Sequence, residues 1–200
     1  MIMGGSLMDH EEVLLSVLRR IADIPDAEWD YLRHQLQWET VEKGHILLHS
    51  GEHCEKIYFC AHGLFRLFYL TKEGTEYNKS FITEHGFFTS YSSLKLKIPS
   101  HFSIQSLEPA FVASFSHQTF DHLLTRHVCW DKVIRNFVEQ LYIKKELKER
   151  ILLIYSAEER YRFFEQEYPD LEKRIPQYHI ASYLGITPVS LSRIRKGRKL

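Results

Sequence analysis

The stretch Gln177 to Ile194, QYHIASYLGITPVSLSRI, constrains the chain more than any other. Apolar or small residues fall at Ile180, Ala181, Leu184, Ile186, Leu191 and Ile194, and Gly185 stands where a turn parts two helical runs. Ala181 has almost no side chain, so a second helix can cross closely over it. Gly185 can take the positive φ that a tight turn needs. Leu184, Ile186, Leu191 and Ile194 then supply a small core between the helices. This spacing predicts a helix-turn-helix, whose second helix enters the major groove of DNA. An ordinary two-helix corner is the bland alternative.

The charge distribution agrees. From Lys173 to the end there are seven basic residues, Lys173, Arg174, Arg193, Arg195, Lys196, Arg198 and Lys199, and no acidic one. The preceding 172 residues hold nineteen basic and twenty-six acidic side chains, a net of −7. The chain is neutral as a whole but strongly polarised. A basic end on an acidic body suits a module that faces phosphate, with the body repelled from the duplex. A solvated basic tail accounts for Arg198 and Lys199 but not for the apolar spacing before them.

Two hundred residues, 44% hydrophobic and 26% charged, fit one or two globular domains. No apolar run approaches the length of a membrane span, and no secretion signal opens the chain, so a cytoplasmic protein with no membrane partner is expected. Residues 1–8 read as a leader. Three cysteines, Cys54, Cys60 and Cys129, are an odd number without a paired motif, which argues for a reducing compartment and against a disulfide scaffold. His45, His49 and His53 recur every four residues, but Gly44, Gly51 and the run Ile46-Leu47-Leu48 suggest strand and turn rather than a helical ligand face. No metal and no cofactor are expected.

Along the chain, Asp9 to Leu36 reads as helical, broken at Pro25. From Gln37 to Phe115, aromatic and branched runs alternate with glycine turns. Candidate strands are Val41–Leu48, Lys56–Cys60, Phe65–Leu70, Glu76–Ile82, Phe102–Leu107 and Phe111–Phe115, with a hairpin turn over Lys72–Thr75. Such a series predicts a small antiparallel barrel or jelly roll. Such a barrel either leaves room for a ligand or fills itself with side chains, and its many phenylalanines are enough for the second. His117 to Ser156 turns helical, and Trp130–Tyr155 holds no proline or glycine, about 39 Å of helix. Val133, Phe137, Leu141, Leu147, Ile151 and Ile154 form its apolar stripe, and a second copy of the chain is its simplest partner. Ala157–Tyr168 is a further helix, ended by Pro169.

A barrel, a long helix and a terminal helix-turn-helix, in that order, resemble the Crp/Fnr family of bacterial transcription regulators. The barrel resemblance rests on Gly44-His45-Ile46-Leu47, Gly51-Glu52, Ile57-Tyr58-Phe59, Gly63 and Gly74. Glu158-Glu159-Arg160-Tyr161 is similar to the helix before the DNA-binding unit, and Ile180–Thr187 with Leu191-Ser192-Arg193 is similar to the reading head. The resemblance implies an α+β fold. A cyclic-nucleotide-binding-like β-roll sensor barrel would span residues 9–128. A long dimerisation helix would span 129–155, and a helix-turn-helix domain with little or no wing 156–200.

Two departures from the family pattern matter. Where cyclic-AMP binders carry Phe-Gly-Glu, this chain reads Phe88-Thr89-Ser90, and where they carry Pro-Arg it reads Pro99-Ser100. The ribose-gripping glutamate and the phosphate-pairing arginine are thus both serine. Loss of the arginine alone weakens binding by one or two orders of magnitude, taking roughly 1.5–3 kcal/mol for a charge-assisted bond. Phe88, Thr89, Ser90, Pro99 and Ser100 therefore mark a degenerate effector pocket. A helix N-terminus near Thr89 would be its remaining attraction for an anion. The second departure is at the end, where the family usually carries a small β wing: the expectation is that the wing is either missing or replaced by the basic run Arg195–Lys199.

In the head, Thr187 suits the cap of the second helix and Pro188 its first turn. Val189, Ser190 and Arg193 project from it. Arg193 suits either a bidentate grip on guanine or a phosphate contact. Val189 stands where family members often carry a glutamate and suits a thymine methyl. Ser190 and Ser192 are short donors. Gln177, Arg195, Lys196 and Arg198 are backbone-contact candidates. The expected function is a homodimeric, sequence-specific regulator that binds double-stranded DNA and catalyses no reaction. RNA polymerase and an unidentified small-molecule effector are further candidate partners. The competing readings are a small-molecule-binding barrel with a vestigial DNA head and a cupin-like metalloenzyme.

Overall fold

The computed structural model describes residues 6–197. Arg198, named above as a backbone-contact candidate, lies outside them. Two helices come first, α1 (Leu7–Arg19) and α2 (Asp26–Gln35). Ser6 caps α1: its hydroxyl accepts from the Asp9 N–H, and the Asp9 carboxylate accepts from the Ser6 N–H. This reciprocal box satisfies two otherwise orphaned donors. Leu7 and Met8, expected in a leader, are therefore helical.

Eight short strands follow: β1 (Gln37–Val41), β2 (Ile46–Leu48), β3 (Lys56–His62), β4 (Phe65–Leu70), β5 (Glu76–Ile82), β6 (Phe87–Phe88), β7 (Ser103–Ser106) and β8 (Ala110–Ser116). Helix α3 (Tyr91–Leu96) lies between β6 and β7. The strands form two four-stranded sheets, ordered β1-β8-β3-β6 and β2-β7-β4-β5. Antiparallel registers include Gln37 opposite Ser114 and Lys56 opposite Ser116. The expected strand Val41–Leu48 is in fact two. A turn closed by the His45 N–H on the Glu42 carbonyl sends β1 and β2 into different sheets. The two-residue β6 escaped the sequence reading, because Phe87-Phe88 is too short to show alternation.

Residues along β3 and β8 sort by parity, as a pleated strand requires. Ile57, Phe59, Ala61, Phe111, Ala113 and Phe115 pack with Leu14, Leu18, Trp29, Leu32, Phe120 and Trp130 of the helices. Tyr58, Cys60, Ala110 and Val112 face the other way, onto Phe65, Phe88, Phe102 and Ile104. Both faces are thus buried. Gly63, between β3 and β4, has a φ of 103°, and a Cβ there would lie 2.5 Å from the Cβ of Ala110. No other residue fits that approach.

After the strands come α4 (His117–Arg126), α5 (Val128–Ile154), α6 (Ala157–Glu167), α7 (Gln177–Leu184) and α8 (Pro188–Gly197). The helical region expected from His117 to Ser156 breaks at His127, which is extended. The break lets Arg126 and Trp130 converge on buried Glu28: Arg126 Nε and Trp130 Nε1 donate to its Oε2 at 3.1 and 2.8 Å. The Arg126 bond holds the Glu28 carboxyl below its ordinary range, against the opposing effect of burial.

The chain forms two compact units. One runs through Leu67 and adds Phe81–Val138; the other combines Phe68–Ser80 with the residues from Glu139 onward. The division cuts α5 and gives the tip of the β4–β5 hairpin to the second unit. On α5 the expected apolar stripe is divided. Val133 is buried in the first unit, and Phe137 meets Phe87 edge-on. Farther along, Ile143, Leu147 and Ile154 are 48%, 50% and 72% exposed. With Gln140 and Arg150 they recur at steps of three and four, so they share one face.

Candidate nucleic-acid interface

Gly185 ends α7 with φ 66° and ψ 34°. The Ile186 N–H reaches the Ala181 carbonyl at 3.0 Å and the Gly185 N–H reaches that of Ser182 at 3.3 Å. This pair of bonds is a Schellman turn, which consumes carbonyls a helix would otherwise leave orphaned. Arg160 on α6 satisfies more of them. Its guanidinium donates to the carbonyls of Leu152, Tyr155 and Leu184 at 2.8, 2.9 and 3.2 Å. One side chain thus joins the ends of α5 and α7 to the start of α6.

Thr187 caps α8, its hydroxyl accepting from the Ser190 N–H at 3.1 Å, with Pro188 opening the helix. Ile180, Ala181, Leu184 and Leu191 are buried between the two helices, whereas Ile186 and Ile194 are only half-buried. The core expected from those two is supplied instead by Tyr161, Phe164, Leu171 and Tyr183.

The second helix therefore has a fixed outer face. Val189, Arg193 and Lys196 are exposed at steps of four and three. Gln177 is exposed at the first turn of α7. Ser192 is half-buried. Ser190 is half-buried too, and its hydroxyl pairs with that of Thr187 at 2.9 Å. Arg195 points elsewhere: its guanidinium lies 3.6 Å from Glu172, which also accepts from the Tyr161 hydroxyl. The structure thus separates Arg195 from the Val189–Arg193–Lys196 face.

Sequence reasoning missed the hairpin's part in this unit. The Asn78 N–H donates to Ser182 Oγ at 2.9 Å, and Ser182 Oγ donates to the Glu76 carbonyl at 3.0 Å. Asn78 Nδ2 also donates to the His179 carbonyl at 2.9 Å. Lys148 Nζ donates to the carbonyls of Lys79 and Asn78 and stands 3.6 Å over the Tyr183 ring. Burial pushes the Lys148 pKa down to about 7, opposed by Glu167 and assisted by Lys79. The only sequence hint was a polar Asn78-Lys79-Ser80 run inside a strand pattern.

The degenerate pocket residues also have definite places. Phe88 stacks on Tyr58 with centroids 5.2 Å apart and leans on Phe65 at 4.9 Å. Ser90 and Ser100, both buried, stand 2.9 Å apart through their hydroxyls, and Ser100 Oγ donates to the Phe102 carbonyl at 2.7 Å. Thr89 Oγ1 donates to the Lys56 carbonyl at 2.9 Å, and Pro99 is exposed. These polar atoms are spent on each other and on the main chain. Helix α3 has only six residues, so it offers little macrodipole to an anion. Among the described residues no group of three His, Cys, Asp or Glu side chains has a metal-holding arrangement, as the cupin-like alternative requires. Among them no helix is long and apolar enough to cross a membrane.

Residues 38–127 match the cyclic nucleotide-binding domain family. The whole chain is similar to solved regulators. FixK2 of Bradyrhizobium japonicum shares 16% identity at a TM-score of 0.72, covering 81% of this chain and 83% of that one. A putative Crp/Fnr-family transcriptional regulator of Eubacterium rectale shares 15% at 0.69, covering 88% and 84%. The chain has the Crp/Fnr regulator fold. A putative cAMP-binding regulatory protein of Silicibacter pomeroyi, at 23% identity and a TM-score of 0.61, covers 94% of this chain and 88% of its own. A search of curated proteins finds no match. In this Crp/Fnr fold, β-roll, long helix and terminal helix-turn-helix follow one another as the sequence order implied.

Replacing Gly185 with Ala forces a Cβ into left-handed backbone, at a cost of about 1–2 kcal/mol. Thermal or urea melting of Gly185→Ala should show that loss. An unchanged midpoint would mean that the turn does not need its glycine.

Proposed function

We propose that this protein is a homodimeric, sequence-specific DNA-binding transcription regulator of the cytoplasm, with no catalytic activity. The observation that carries the reading is the capped second helix, which holds Val189, Arg193 and Lys196 outward on a basic, acid-free end. Arg193 is the base-reading candidate, and Lys196 and Gln177 are suited to phosphate. Thr187 and Ser190 build the helix start, and Ser192 can add a short contact. Arg195, turned to Glu172, steadies the head rather than touching DNA. RNA polymerase is the natural partner of a protein bound at a promoter. Three buried thiols suit a reducing compartment.

The exposed face of α5, with Ile143, Leu147 and Ile154, supports pairing with a second copy. Two heads related by that axis would meet half-sites about 34 Å apart. The β-roll acts as a scaffold without cyclic AMP, because Ser90 and Ser100 bond each other where charged groups would be needed. Isothermal titration with cyclic AMP should give no binding heat at millimolar ligand, whereas a saturable signal would restore a nucleotide sensor.

Binding to duplex DNA should weaken with salt by nearly one log unit per log of salt for each phosphate neutralised. Arg193→Ala should lower specific affinity by about 1–3 kcal/mol and spare random-sequence DNA. Equal losses on both duplexes would assign Arg193 to phosphate, and a flat salt response would remove the electrostatic basis of the reading.

A further inference from the structure

Val189 is 61% exposed in the first turn of α8, the turn that comes nearest to base edges when such a helix enters the major groove. Arg193 follows one turn later on the same face. Val189 has no donor or acceptor to offer. The apolar group displayed in the major groove is the C5-methyl of thymine. The other side chain of this first turn with a polar group is Ser190, and its hydroxyl is engaged with Thr187, which itself caps the helix. Four residues of helix rise by about 6 Å, so the contacts of Val189 and Arg193 fall within about two base pairs of each other.

We propose that Val189 reads a pyrimidine methyl in each half-site, within two base pairs of a guanine held by Arg193. The inference rests on the DNA-binding reading above and adds the identity of the recognised group. The group read is the methyl, not the base, so 5-methylcytosine is accepted in place of thymine and deoxyuridine is not. Val189 is exposed and takes no part in the core, so its truncation leaves the head folded.

The test is selection of bound sites from a randomised 30-base-pair duplex library with the full chain, then replacement of each thymine by deoxyuridine in turn. One thymine per half-site should lose about threefold to tenfold in affinity on removal of its methyl. It should lie within two base pairs of a guanine whose contribution vanishes in Arg193→Ala. Val189→Ala, which keeps only the Cβ, should lose most of the preference for thymine over deoxyuridine. A selected site with an Arg193-dependent guanine but no methyl-sensitive position would overturn this inference and leave the DNA-binding reading standing. So would a deoxyuridine penalty that persists undiminished in Val189→Ala. Failure to select any duplex would overturn both.

Discussion

The fixed placement of α8 depends on how the chain disposes of the backbone groups at its helix ends. Carbonyls at the ends of α5 and α7 would be left without partners where the chain turns. Arg160 takes three of them, and the Schellman turn at Gly185 takes two more. Bonds from a charged donor are worth roughly 1.5–3 kcal/mol each, and an unpartnered buried carbonyl costs a similar amount. The aromatic cluster of Tyr161, Phe164 and Tyr183 packs beneath this joint. The outer face of α8 follows from that packing: Leu191 faces in, so Val189 and Arg193 face out.

The β-roll matches the cyclic nucleotide-binding domain family and has the interior of an ordinary core. Tyr58, Phe65, Phe88 and Phe102 fill it, and the buried hydroxyls of Ser90 and Ser100 close on each other. The segment from Phe68 to Ser80 belongs to the same compact unit as the terminal helices, because Asn78 and Ser182 bond it to α7 and Lys148 gathers its carbonyls.

Much of this was legible in the sequence, and what was not has physical reasons. Strands β4 and β5 emerged with their observed limits because glycines bound them and their residues suit a pleat. The α7–α8 unit was readable from the spacing of Ile180, Ala181, Leu184, Ile186, Leu191 and Ile194 about the turn glycine Gly185. The split between β1 and β2 was hidden because Glu42-Lys43-Gly44 is too short to interrupt an extended reading. On α5 periodicity reports an apolar face but not what covers each part of it, so only the structure separates buried Val133 from exposed Leu147 and Ile154. Charge alone cannot separate Arg195 from Arg193 and Lys196; only packing brings Glu172 to it. The hairpin's bonds to α7 join residues about a hundred positions apart, beyond any local pattern.

Hydroxyl-radical footprinting of the full chain on a selected duplex tests the central claim most directly, with Arg160→Met run beside the unaltered protein. Two protected patches should appear one helical turn apart on one face of the duplex. They should fade in Arg160→Met, which loses the joint that aims α8. A single patch, or protection that is unchanged without the Arg160 guanidinium, would contradict the account.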